Sequence, residues 1–158
     1  MTAGQRCSAT SRVFAERGIA DALCDKLARL FRGIAIGHSS DAGAFMGPLI
    51  SRSARDRHAQ VLTLAAADGA QALVAGGPCE GPRPGHYVRP SLHRLRAHDR
   101  ASRYQNEEHF LPDAFVLAVD SIEEGIALLD ATDFGLVASV FTRDRAIYER
   151  AARTLRVG

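Results

Sequence analysis

The chain has 158 residues, enough for one domain with a modest core and too short for two. Hydrophobic residues make up 46% and charged residues 24%, the balance of a globular chain rather than a disordered one. A net charge of +2 gives no electrostatic ground for binding nucleic acid or an anionic membrane.

The positive charge is almost all arginine, scattered along the chain, with Lys26 the single lysine. No apolar run reaches the length of a membrane span, and the first residues lack the basic-then-apolar layout of a signal peptide, so a cytoplasmic protein is expected. Three cysteines, Cys7, Cys24 and Cys79, show no CxxC spacing. That argues against a disulfide framework and against a zinc ribbon, and no metal site is expected.

In chain order, Ser11 to Glu16 reads as a short strand punctuated by Gly18. Ile19, Leu23, Leu27, Leu30 and Phe31 then recur at helical spacing, predicting an amphipathic helix over 19–32 with Cys24 on its buried face. "GIAIGHSSDAGAFMGPLIS" follows as an ordered Gly-rich surface loop. Ser51 is an N-cap for an Ala-rich helix running to Ala67, stopped by Asp68-Gly69. "QALVAGG" reads as a short buried strand, and "PCEGPRPG", with Cys79, as a turn-rich loop. "HYVRPSLHRL" reads as extended chain, Pro90 holding Arg89 out of the helical region. After an Arg-rich connector, "FVLAV" has the continuous apolar look of a strand buried on both faces. Ser121 and Glu124 form a capping box opening a helix to about Leu129. "LVASVFT" reads as another buried strand and "RDRAIYERAARTL" as a closing helix. The order predicts one α/β domain with a partly parallel sheet flanked by helices.

The stretch "AGQRCSA" holds the chemistry. A glycine three residues before Cys7 lets backbone approach a substrate closely. A helical turn beginning at Cys7 would present free N–H groups that activate a thiol and offer an oxyanion site. Spacing alone leaves two readings of Cys7, an activated nucleophile and a small buried thiol, the second being the commoner fate of a free cysteine. By composition alone, Glu107 and Glu108 are solvated loop charges and Phe110 is core.

Five stretches, in order, resemble the aldehyde dehydrogenase superfamily. "GQRCSATSR" is similar to its G-[QE]-x-C active-site signature, and "MGPLIS" to a family loop. "GGPCEGPRPGHYVRPSL" resembles a Gly-Gly loop followed by G-x-[YF]-x-x-P-[TS]. "NEEHFLPDAFVLAV" resembles E-E-x-F-G-P with a valine-rich strand, and "DATDFGLVASVFTRD" resembles N-x-T-x-[YF]-G-L-x-[AS]-x-[VI]-[FW]-T-x-D.

This resemblance implies that Cys7 is the nucleophile, attacking an aldehyde carbonyl to give a thiohemiacetal and then a thioester, with its backbone N–H as half of the oxyanion hole. It implies that Glu108 grips the nicotinamide ribose of NAD or NADP and that Phe110 packs beside the nicotinamide. The implied partner is a small-molecule aldehyde, and family members are homo-oligomers. Two departures stand out. Leu111 takes the place of the usual Gly, where a side chain is expected to crowd the turn beneath the ribose, and Asp130 replaces the usual Asn.

In the family, a nucleotide-binding domain, an oxyanion-hole asparagine and a general-base glutamate precede the cysteine signature, and a further C-terminal segment follows. The expectation is therefore a truncated catalytic domain over 1–158, with three uses open to it. It is a partial dehydrogenase, an inactive remnant or interaction module that keeps the fold, or a thiol that forms acyl adducts without a cofactor.

Overall fold

β4 (Asp113–Val119) carries the sheet: every residue but Ala118 is buried. The computed structural model of the chain, which describes residues 2–157, pairs β4 in parallel with β1 (Arg12–Glu16) on one side and with β3 (Val88–Leu95) on the other. β2 (Gln71–Pro78) adds to β3 antiparallel, giving the order β1-β4-β3-β2. Two ladders of three are parallel, as the continuous apolar runs predict.

Alternation along β4 sends its side chains to two cores. Ala114 and Val116 join Ala15, Leu92, Ala20, Cys24 and Ala28 under α1 (Arg17–Arg32). Phe115 and Leu117 face the other way, toward Val61 and Ala65 of α2 (Arg52–Ala67). Each fully buried side chain of the size of Leu92 or Val116 contributes about 1.5–3 kcal/mol.

Helix starts follow the local chemistry. The Ser51 hydroxyl accepts from Ala54 N at 3.1 Å, a cap worth about 1 kcal/mol. Ser121 caps α4 (Ile122–Leu129) by accepting from Glu124 N at 3.2 Å. The Glu124 carboxylate reaches Asp120 N at 2.7 Å, one residue short of the reciprocal bond a capping box predicts. α1 starts at Arg17, so Gly18 lies inside its first turn instead of marking a break. The loop over 33–51 is ordered by bridges between Ile36 and Met46 and between Leu49 and His86.

Three further sequence expectations about the fold fail. β2 is a half-exposed edge strand, not a buried one, because among the described residues no strand pairs with its outer side. Its inner side comes so close to β3 that a β-carbon on Gly76 would lie 2.7 Å from that of Ser91. "LVASVFT" forms no strand: a strand needs a ladder partner, and neither edge of the sheet pairs with residues 136–142. Val137 is 59% and Phe141 92% exposed. The Arg-rich connector contains a one-turn helix, α3 (Arg103–Asn106), with no apolar periodicity to announce it. α5 (Arg145–Thr154), capped by Asp144, closes the described chain as expected.

Candidate active site

Cys7 sits in a β-turn, with Ala9 N donating to Arg6 O at 3.0 Å. No helix begins there, so the expected dipole behind the thiol is absent and the side chain is exposed instead. The turn is fixed from two sides. Gln5 Oε1 accepts from Ile50 N at 2.9 Å. Gly4, at φ +69°, lies so close to the 111–112 peptide that an added β-carbon would come 2.2 Å from Leu111 O. The close approach predicted for this glycine is therefore made to the protein's own backbone rather than to a substrate.

That contact joins the Cys7 turn to the segment carrying Glu108 and Phe110. Within it, Glu107 and Glu108 have different environments. Arg103, one turn earlier, donates to both oxygens of Glu107 at 2.6 and 3.0 Å, and this hydrogen-bonded partner holds the Glu107 carboxyl below its usual range. Glu108 is exposed and accepts no hydrogen bond among the described residues. Phe110 is 40% exposed and adopts φ +60°. Leu111 does not crowd the turn as expected: the left-handed residue is its neighbour, and the Leu111 side chain packs into the core with Ala3 and Met46.

Cys7, Glu108 and Phe110 line one groove of about 480 Å³. The segment over 134–141 and the side chains of Phe14, Leu27 and Tyr104 also line it. Arg12, the last residue of the cysteine signature, ties the groove's N-terminal side to the end of α4 and to Phe134. Its guanidinium donates to the carbonyls of Leu128 and Leu129 at 3.3 and 3.1 Å, satisfying the end of α4, and it lies 5.2 Å from the Phe134 ring centroid. Burial lowers the pKa of this guanidinium. Asp130, where the family has an amide, accepts from Arg156 Nε at 2.8 Å and Arg156 N at 3.1 Å, so its charge is used to tie down the end of the chain.

Beneath the groove lies a polar network that sequence reasoning missed. Ser91 Oγ donates to Asp113 Oδ1 at 2.5 Å, and Tyr104 Oη donates to Asp113 Oδ2 at 3.0 Å. Tyr104 can then only accept from His93 Nδ1, 2.9 Å away. By the same logic Ser91 accepts from His58 Nε2 at 3.4 Å, leaving His58 Nδ1 buried without a partner among the described residues. Burial, with Asp113 beside it, pushes the Tyr104 pKa far up, so the hydroxyl remains a donor. Among the described residues, no group of three His, Cys, Asp or Glu side chains is arranged to hold a metal ion, and no helix is long and apolar enough to cross a membrane.

A sequence model described as the aldehyde dehydrogenase family matches residues 1–158. This chain belongs to that family. A betaine aldehyde dehydrogenase of Cereibacter sphaeroides is 37% identical over 157 residues, which is 99% of this chain and 32% of that protein. Lactaldehyde dehydrogenase of Escherichia coli is 29% identical over 159 residues, again covering 32% of the relative. Among solved structures, a Staphylococcus aureus betaine aldehyde dehydrogenase in complex with NAD+ superposes with TM-score 0.89 at 31% identity, over 99% of this chain and 31% of that one. An NAD+ complex of a Bacillus cereus aldehyde dehydrogenase gives 0.88 at 29% identity. The chain thus spans about a third of the length of the curated relatives it matches.

Proposed function

We propose that this chain is the nucleophile-bearing part of an NAD(P)+-dependent aldehyde dehydrogenase, oxidising a small aldehyde to its carboxylic acid. The carrying observation is that Cys7, far from Glu108 and Phe110 in sequence, lines a single groove with them. The residues fit a nicotinamide dinucleotide: Glu108 offers two acceptor oxygens with no protein partner among the described residues, suited to a vicinal diol, and Phe110 offers an exposed apolar ring. The chemistry supplied by bound NAD(P)+ is that of a hydride acceptor.

The chain's own work centres on Cys7. Its sulfur attacks the carbonyl carbon; the C–S bond forms as the thiol proton passes to water and the carbonyl π pair moves to oxygen. The Cys7 backbone N–H donates to that oxygen, which bears the developing charge. With a bound dinucleotide supplying the hydride acceptor, the tetrahedral carbon would become a thioester on Cys7, which water cleaves, returning the thiol and releasing the acid. Glu108 would hold the cofactor by accepting its ribose hydroxyls, and Phe110 would offer its ring to the nicotinamide. In the family, the groups that activate the water and complete the oxyanion hole lie N-terminal to the cysteine signature. Betaine aldehyde and lactaldehyde are the first substrates to try, from the names of the relatives.

Competition at the thiol tests this. Iodoacetamide is expected to alkylate exposed Cys7 fastest, half-buried Cys79 more slowly and buried Cys24 slowest, since burial raises the pKa of both slower thiols. Saturating aldehyde should slow modification of Cys7 alone, read by peptide mass spectrometry. Equal slowing at Cys79, or none at Cys7, would contradict the assignment. A second reading, a domain that keeps the fold for interaction without turnover, is favoured by the exposed Val137 and Phe141; it predicts no aldehyde effect at Cys7.

A further inference from the structure

His109 lies between the two residues assigned to the cofactor, at the position the E-E-x-F motif leaves open. Its side chain is turned onto the protein. Nε2 donates to the Tyr104 carbonyl oxygen at 2.9 Å, and the ring stacks on that of Tyr104, centroids 5.8 Å apart and planes 17° from parallel.

Tyr104 is a fixed base for this contact. It is buried, its hydroxyl bonds both Asp113 and His93, and its ring meets His93 edge-on at 5.6 Å. Beyond His109 the chain enters Phe110 at φ +60°, a conformation that a side-chain-bearing residue leaves unless its surroundings hold it. Among the described residues, no other side-chain hydrogen bond reaches residues 108–110.

We propose that His109 is a positioning residue, its imidazole clamping the Glu108–Phe110 loop onto the buried Tyr104. The clamp fixes where the Glu108 carboxylate and the Phe110 ring sit along the groove; its relevance to the dinucleotide rests on the function proposed above. A leucine or other aliphatic residue at this position fills similar space but has no donor for the Tyr104 carbonyl.

Backbone 15N relaxation of the full chain separates the clamp from mere bulk. In His109→Leu, the order parameters of the Glu108 and Phe110 amides should fall from about 0.85 to below about 0.6. In His109→Gln, which keeps a donor, they should recover most of that loss. The amides of Ala65 and Val116, deep in the two cores, should be unchanged in both variants and report an intact fold. Unchanged order in His109→Leu, or equal loosening in both variants, would overturn the clamp.

An NAD+ titration of the same samples distinguishes this from the cofactor assignment. Shifts over residues 107–111 in the wild type, saturating at higher NAD+ in His109→Leu, are expected. Their absence in the wild type would count against the roles given to Glu108 and Phe110, while the relaxation data would still decide the clamp.

Discussion

His58 carries a pH signature that follows from its burial. Desolvation lowers its pKa below the ordinary 6.5, with Asp113 opposing and His93 reinforcing the shift. Between the lowered value and about 6.5 the unfolded chain binds a proton that the folded protein does not, so stability is full above about 6.5 and falls as pH drops below it. The urea midpoint should therefore decrease from pH 7 to pH 5, and His58→Gln should flatten that decrease. An identical decrease in the variant would show that His58 contributes nothing to it. At this scale the sequence spoke unevenly. The Cys7 signature and the burial of Cys24 were legible, since one rests on a contiguous motif and the other on helical spacing. The split between Glu107 and Glu108 was not, because it depends on Arg103 standing one turn earlier on a helix too short to leave a periodic pattern. The network of His58, Ser91, His93, Tyr104 and Asp113 was also hidden. Its members come from α2, β3, α3 and β4, and only the folded sheet brings them together.

Among the elements, the contact between the Cys7 turn and the segment before β4 governs the site. Gly4 has both a positive φ and no room for a β-carbon against Leu111 O, so Gly4→Ala is expected to lower stability by about 1–3 kcal/mol. The loss should come with faster amide exchange at Cys7 and Leu111, measured by hydrogen exchange. A variant as stable as the wild type with unchanged exchange would show that the two segments are not docked this way. Strands with continuous apolar runs were readable from sequence when the sheet supplied two neighbours, as for β4 between β1 and β3. "LVASVFT" has similar composition and failed, because pairing is a tertiary property that composition does not encode. β2 was recognised as a strand but assigned the wrong environment, for the same reason: edge or centre is decided by the neighbours.

For the whole molecule, the sheet is a platform that brings residue 7 and residues 108–110 to one groove, since β1 and β4 are parallel neighbours. Cys7 precedes β1 and the Glu108–Phe110 loop precedes β4, so both lead into the same end of the sheet. This topology makes Cys7 and the Glu108–Phe110 loop neighbours, the arrangement that the proposed acyl chemistry at the thiol requires. Trapping the first covalent state tests that most directly. With an aldehyde carrying 13C at the carbonyl carbon, the wild-type protein should show a protein-bound tetrahedral carbon resonance, distinct from the free hydrate, that disappears in Cys7→Ser and persists in Cys79→Ser. No bound tetrahedral carbon in the wild type, or one that survives Cys7→Ser, would contradict the account.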